Sequence, residues 1–279
     1  MLNKTKQIVN MEESMKKLGF IGCGKMASAI INGILKSDIL KNEDIIASEV
    51  NEEFAKIGRE KTGIEIICDN KKLAETSEII FIAIKPHLVT DVINEIKDIV
   101  KENQLIISIA AGYKISNFEN ILPKNPIIRI MPNAPLMFLE GMAGIAKGKN
   151  ATDEHLKFVE NIFSKIGKYI IVDEKYMNTI TAISGSGPAY FFKFIEEIAR
   201  AGEKMGLDYE KSLILSAQTA LGSAKMVLES GLDMKTLIKM ITTKGGCTEV
   251  GVNYLEEINL KNQMSELIEK TEKKASELG

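Results

Sequence analysis

The chain has 279 residues, 45% hydrophobic and 27% charged, enough for one large or two ordinary domains with buried cores. Its 36 basic and 38 acidic residues leave a formal net charge of −2, which argues against nucleic acid as a partner. The 3 cysteines, Cys23, Cys68 and Cys247, are far apart and form no CxxC pair, so the sequence reads as a reduced cytoplasmic protein without a disulfide frame or a structural zinc.

Residues 1–16, with Lys4, Lys6, Glu12, Glu13 and Lys16, read as a polar extension without the apolar core of a signal peptide. No apolar run anywhere approaches the roughly 18 residues of a membrane span. From Lys17 onward short β-branched runs alternate with helical stretches. Strands are expected at 17–21, 44–48, 64–68, 79–84, 105–109, 126–130, 143–147 and 168–172. Most are apolar throughout, as strands covered on both faces of a parallel sheet must be. Helices fit between them, among others at 25–36, 51–61, 87–101 and 153–166, the last with Thr152 as N-cap and Gly167 as its terminal glycine. This is a doubly wound α/β domain over 17–173.

Past residue 173 the strands stop. Helices are expected at 188–205, 209–230, 234–242, 248–258 and 261–277, with Gly206 and Gly231 ending the first two and Asp233 capping the third. The span 174–279 is thus an all-α domain. Its stretch "SLILSAQTALGSAKMVL" carries more apolar surface than a lone helical stack can hide, and the expectation is that it dimerises.

The first strand runs into "FIGCGKMASAI", where Gly22, Gly24 and Ala27 supply G-x-G-x-x-A before a helix. The first glycine makes the turn, the second lets backbone approach a pyrophosphate, and the small third residue permits close packing, so the motif reads as a dinucleotide site. Glu49 stands roughly 20 residues further on, where an acid bonds the ribose hydroxyls of NAD and repels the 2′-phosphate of NADP. With Glu52 and Glu53 beside it, a solvated acid is an equal reading. "AIKPH" places Lys85 and Pro86 at the ligand-binding edge of the fourth strand, or at an ordinary helix start. "SIAAG" (108–112) and "RIMPNAP" (129–135) end two strands in residues small enough, with Asn133, to admit a flat ring.

The chain has 2 histidines: His155 on a charged helix reads as a surface residue, and His87 as a helix-start residue with a minor claim to acid–base work. That scarcity favours a substrate needing little proton chemistry, such as a protonated cyclic imine. In "ITTKGGCTEVG" (241–251) the residues Gly245, Gly246, Cys247 and Thr248 precede a helix. Their N–H groups can point at a carboxylate and the Thr248 hydroxyl at the substrate, unless the turn is a plain corner with Thr248 as N-cap. "SGSGPAY" (184–190) is a second glycine-rich helix entry, read as close packing, with Ser184 free to face a cleft.

In this order and spacing, "FIGCGKMASAI", "FIAIKPH", "SIAAG", "RIMPNAP", "SGSGPAY" and "MITTKGGCTEVG" resemble pyrroline-5-carboxylate reductase over residues 17 to 278. The resemblance implies a Rossmann domain followed by a helical domain that interlocks into homodimers, with larger rings such as decamers in the family. It implies reduction of a five-ring imine carboxylate to proline with NADPH or NADH and no metal. Cofactor contacts then fall on Gly22, Cys23, Gly24, Lys25, Met26, Ala27, Ser48, Asn70, Ala83, Lys85, Pro86, Ala110, Ala111 and Gly112; Glu49, read above as the candidate ribose acid, departs from family members that take a 2′-phosphate there. Substrate contacts fall on Glu174, Gly245, Gly246, Cys247 and Thr248, with Thr248 as partner of the ring nitrogen and the turn contributed by the neighbouring subunit. Two further departures lie in the turn: Lys244 replaces a proline of the family turn and Cys247 a threonine or alanine. They leave open a related cyclic imine or β-hydroxyacid substrate, or a cofactor-binding sensor without turnover.

Overall fold

The computed structural model describes residues 18–277, so the expected extension 1–16 lies outside the described residues. The chain divides into two compact units, one running through Gly185 and taking in the chain end from Thr271, the other spanning Ser186–Lys270.

All eight expected strands form: β1 Leu18–Ile21, β2 Ile45–Ser48, β3 Glu65–Ile67, β4 Ile79–Ile82, β5 Leu105–Ser108, β6 Ile127–Met131, β7 Gly141–Lys147 and β8 Gly167–Ile171. They make one sheet in the order β3-β2-β1-β4-β5-β6-β7-β8. β1 to β6 are parallel, and the order reverses between β1 and β4, which is where an open sheet of this kind opens a crevice at its carboxyl edge. β7 departs from the expected parallel pattern by running antiparallel to β6. The connection 132–140 holds only the short turn of helix Ala134–Phe138, and a parallel return needs a crossover of about a dozen residues or more.

Helices cover both faces of this sheet, which is why β1, β2, β4 and β5 are buried at every position. On one face α1 (Lys25–Lys36), α2 (Glu52–Thr62) and α6 (Asp153–Lys165) pack Ile30, Ile34, Ala55 and Ile162 against Phe20 and Phe81. Those two rings stack at 4.5 Å between centroids. On the other face α3 (Asn70–Thr76), α4 (Pro86–Ile96), α5 (Ile115–Ile121) and α7 (Met177–Ile180) bring Leu73, Ile93, Phe118 and Met177 onto Ile21, Ile80 and Ile82. The alternation of Phe20 and Ile21 between the two cores is the period-2 geometry of a strand.

Two boundaries differ from expectation. α4 ends at Ile96 instead of continuing to 101, because Ile99 and Val100 donate to the Ile96 carbonyl and turn back onto the core. Gly167 does not end α6, which stops at Lys165 with Ile166 as its cap; it begins β8 at φ 154°. The Thr152 cap forms as expected, and His155 closes it: Thr152 Oγ1 accepts the His155 N–H while His155 Nδ1 accepts the Thr152 N–H at 3.1 Å. His155, half-buried at the surface, therefore also serves as a capping residue, and partial burial holds its pKa below the ordinary histidine value.

The second unit is built of α8 (Gly187–Lys204), α9 (Tyr209–Glu229), α10 (Met234–Ile241), α11 (Cys247–Glu257) and the greater part of α12 (Leu260–Ser276). Asp208 and Asp233 cap α9 and α10 by accepting the N–H of Lys211 and Thr236. Very little is enclosed: α8 buries only Gly187 and Ala199, α9 only Ser212 and Ser216, while Phe191, Phe192 and Ile214 remain 63%, 66% and 67% exposed.

A Cβ on Gly167 would stand 2.1 Å from the Gly141 carbonyl oxygen, in the backbone between two paired strands that cannot separate. Gly167→Ala is expected to lose about 2 kcal/mol or more of unfolding free energy in a urea titration. Gly222→Ala, inside α9 with nothing within 4 Å of the new carbon, should be neutral or stabilising.

Candidate active site

The β1–α1 turn has the form that a dinucleotide pyrophosphate requires. Gly22 takes φ 90° and donates its N–H to the Ser48 carbonyl at 2.9 Å; a Cβ there would stand 2.8 Å from the Ala83 carbonyl oxygen. Gly24 is the N-cap of α1, with nothing within 4 Å of where a Cβ would point, so the backbone is open to an approaching group. No side chain caps this helix, and the N–H groups of Lys25, Met26 and Ala27 have no partner among the described residues. An uncapped row of donors at a helix N-terminus favours an anion. Ala27 is buried, as the small third position of the motif demands. Ser28 fixes the turn from below by donating its hydroxyl to the Cys23 carbonyl at 3.1 Å. Burial, with the Glu49 carboxylate adding to it, pushes the Cys23 thiol pKa up, so the thiol stays neutral beside the cradle. These features fit a dinucleotide.

The remaining cofactor candidates lie at the same carboxyl edge. Glu49 follows β2, is half-buried, and accepts the Cys23 N–H on Oε1 at 2.6 Å, so it is held against the glycine turn rather than solvated beside Glu52 and Glu53. Ser48 is buried and donates to Asn70 Oδ1 at 2.7 Å, and Asn70 Nδ2 donates to Glu95 at 2.9 Å. Glu95 is a residue that sequence reasoning missed, since a lone acid in mid-helix carries no local signal. Ala83 extends β4 by donating to the Ile21 carbonyl, Lys85 is exposed as the N-cap of α4, and Pro86 opens that helix. His87, next to it, is exposed. After β5, Ala110 and Gly112 are buried, Ala111 is half-buried, and Gly112 takes φ 78°. Asn133 was expected to leave room for a ring; its amide instead bridges the Met142 N–H at 2.8 Å and the Ser184 carbonyl at 3.1 Å. The Ser184 hydroxyl turns back onto the Ile180 carbonyl. Gly185 keeps the expected close packing, its absent Cβ lying 2.7 Å from Met131 Cε.

In the helical unit the turn 242–248 opens α11. Gly246 is the N-cap, so Thr248 is the second residue of the helix and not its cap. Gly245 takes φ 75° and donates its N–H to Glu249 Oε2 at 2.8 Å, while the Gly246 N–H goes to the Thr243 carbonyl. Both glycine donors are engaged within the chain. The N–H groups of Cys247, Thr248 and Glu249 have no partner among the described residues, and the half-buried Thr248 hydroxyl makes no hydrogen bond there. Cys247 and Lys244 are exposed. The turn therefore offers backbone donors, a hydroxyl and a cation on one short segment. Glu249 was missed in the sequence, although an acid at the third helical position is the spacing of a carboxylate that reaches back to an N-terminal N–H.

Glu174 is tied within the first unit. Its Oε1 accepts the Ile115 N–H at 2.7 Å and pairs with Arg129 Nη1 at 2.9 Å. The Arg129 side chain is 3% exposed and its Nη2 is buried without a hydrogen-bond partner, so the guanidinium depends on this carboxylate. Arg129 had no distinct signal in an apolar strand run. Glu174→Ala is expected to lower the unfolding free energy by about 2–4 kcal/mol, because it strands a buried cation. If Glu174 were only a substrate contact, the urea midpoint would stay put and KM alone would rise.

The profile described as "Pyrroline-5-carboxylate reductase dimerisation" matches residues 174–278, and one described as "NADP oxidoreductase coenzyme F420-dependent" matches residues 17–112. A pyrroline-5-carboxylate reductase of Methanosarcina acetivorans is 39% identical over 265 residues, 95% of this chain and 98% of that protein. Among solved structures, a pyrroline-5-carboxylate reductase from Coxiella burnetii superposes with a TM-score of 0.88 at 31% identity, covering 95% of this chain and 99% of the other. The Plasmodium falciparum pyrroline carboxylate reductase, crystallised with NADP bound, gives 0.86 at 34% identity over 95% and 100% of the two chains. With relatives this similar along nearly its whole length, the chain belongs to the pyrroline-5-carboxylate reductase family.

Proposed function

We propose that this protein reduces 1-pyrroline-5-carboxylate to L-proline at the expense of NADPH or NADH, the last step of proline biosynthesis. The observation that carries the reading is the open row of N–H donors at Cys247 and Thr248 beside an unengaged Thr248 hydroxyl, in a chain of this family. The N–H groups hold the substrate carboxylate, with the positive end of α11 behind them. Gly245 and Gly246 shape the turn, and Glu249 keeps it in place through the Gly245 N–H. Lys244 adds a cation within reach of the same carboxylate.

The bound nicotinamide supplies the hydride. Thr248 Oγ1 bonds the ring nitrogen and keeps its proton there, which leaves the imine carbon electron-poor enough to accept two electrons; the product nitrogen becomes an amine. The dinucleotide is held by Gly22, Cys23, Gly24, Lys25, Met26 and Ala27 at the pyrophosphate, with Ser48, Glu49 and Asn70 toward the ribose. Ala83, Lys85, Pro86, Ala110, Ala111 and Gly112 line the carboxyl edge. Glu174 stays a candidate substrate contact, alongside its tie to Arg129. We assign the protein to the cytoplasm and to a homodimer as its smallest working form, with a larger ring such as a decamer in reach of the same helical unit.

Purified protein should consume NADPH or NADH, followed by nicotinamide absorbance, only when the imine is supplied. Tight cofactor binding without imine-dependent consumption would contradict the reading and favour a sensor. Thr248→Ala should reduce turnover by about 10- to 1000-fold, the range for loss of one positioned donor, and Thr248→Ser should restore most of it. An unchanged rate in the alanine variant would remove Thr248 from the mechanism.

A further inference from the structure

Two acidic residues, Glu49 and Glu52, one arginine and a turn of backbone lie around the carboxyl end of β2. Glu49 accepts the Cys23 N–H, so its carboxylate is fixed at the glycine turn, and its own N–H is fixed by the Ile67 carbonyl at 2.9 Å. Arg59, in the last turn of α2, donates Nη1 to the neighbouring Ile66 carbonyl at 2.6 Å, which puts the guanidinium beside β3. Its Nη2 is paired with Glu52 from the first turn of the same helix, and the other Glu52 oxygen faces the Cys68 thiol at 3.9 Å. Among the described residues the other charges around this end include Glu53, Asp69, Lys71 and Lys72, all exposed.

An NADP-binding site of this fold needs a cation, typically an arginine fork, for the 2′-phosphate, whereas an NAD site needs an acid for the ribose hydroxyls. Here the acid is present and immobilised, and each Nη of the fork already has a partner within the chain, the Ile66 carbonyl or Glu52. Lys71 and Lys72 are solvated point charges, weakened by salt over about 8–10 Å, and do not replace a held fork. Resting on the reading that this chain is an imine reductase using a nicotinamide dinucleotide, we infer that its ribose site selects NADH: Glu49 repels the 2′-phosphate, and Glu52 keeps Arg59 from receiving it. Glu49 is the specificity-determining residue, and Glu52 is a positioning residue that acts through Arg59.

The test is binding, measured by quenching of protein fluorescence or enhancement of nicotinamide fluorescence with NADH and with NADPH, in the absence of imine. Wild type should bind NADH at least about tenfold more tightly than NADPH. Glu49→Gln keeps an acceptor for the Cys23 N–H while removing the charge, and should narrow that ratio by about tenfold; Glu49→Ser should do the same. Adding Glu52→Gln should move the preference toward NADPH, with a steeper salt dependence as Arg59 engages the phosphate. Equal or tighter NADPH binding by wild type, or an unchanged ratio in Glu49→Gln, overturns the inference. The predicted binding ratios without any imine-dependent turnover would support the ribose site and sink the reductase reading, so the two failures are separable.

Discussion

A helix cannot bond its own first N–H groups, and both candidate anion sites of this chain rest on that deficit. At α1 the unpartnered donors are Lys25, Met26 and Ala27; at α11 they are Cys247, Thr248 and Glu249. Each row stands behind a glycine turn, and in each case a carboxylate of the chain takes one N–H from the turn itself: Glu49 from Cys23, Glu249 from Gly245. The carboxylate fixes the turn while the helical donors stay open. Two anions of different size, a pyrophosphate and a small carboxylate, are what we propose this one device holds.

The helical unit obeys a second constraint. Its long helices α8 and α9 bury small residues such as Ala199, Ser212 and Ser216, and leave Phe191, Phe192 and Ile214 outside. So many large apolar side chains cannot stay in water, which agrees with the match of this region to a dimerisation profile. Association of copies is therefore part of how the unit is stabilised. Among the described residues no helix is long and apolar enough to cross a membrane.

Much of this was legible in the sequence. The central strands β1, β2, β4 and β5 declared themselves because burial on both faces makes them near-continuous apolar runs, and Thr152, Asp233, Gly206 and Gly231 marked helix ends through local capping chemistry that needs no tertiary information. The glycine turn after β1 was legible for the same reason. What could not be read were contacts across the fold. The antiparallel β7 depends on how short a connection is, α3 and α5 are 7 residues each and too brief to show a period, and Gly167 answers to the backbone of Gly141 rather than to the helix before it. The site followed the same rule: Gly22, Gly24 and Ala27 stood out as a motif, whereas the hold of Arg129 on Glu174, of Asn70 on Glu95 and of Glu52 on Arg59 joins residues far apart or on one helix face without a signature.

The central claim is that hydride passes to an imine carbon with the nitrogen keeping its proton. The most direct test is to supply the enzyme with nicotinamide deuterated at the transferring position and 1-pyrroline-5-carboxylate, then examine the amino acid formed by mass spectrometry. The account predicts L-proline carrying one deuterium on the former imine carbon. Proline without deuterium at that carbon, or cofactor oxidation without proline, would contradict it.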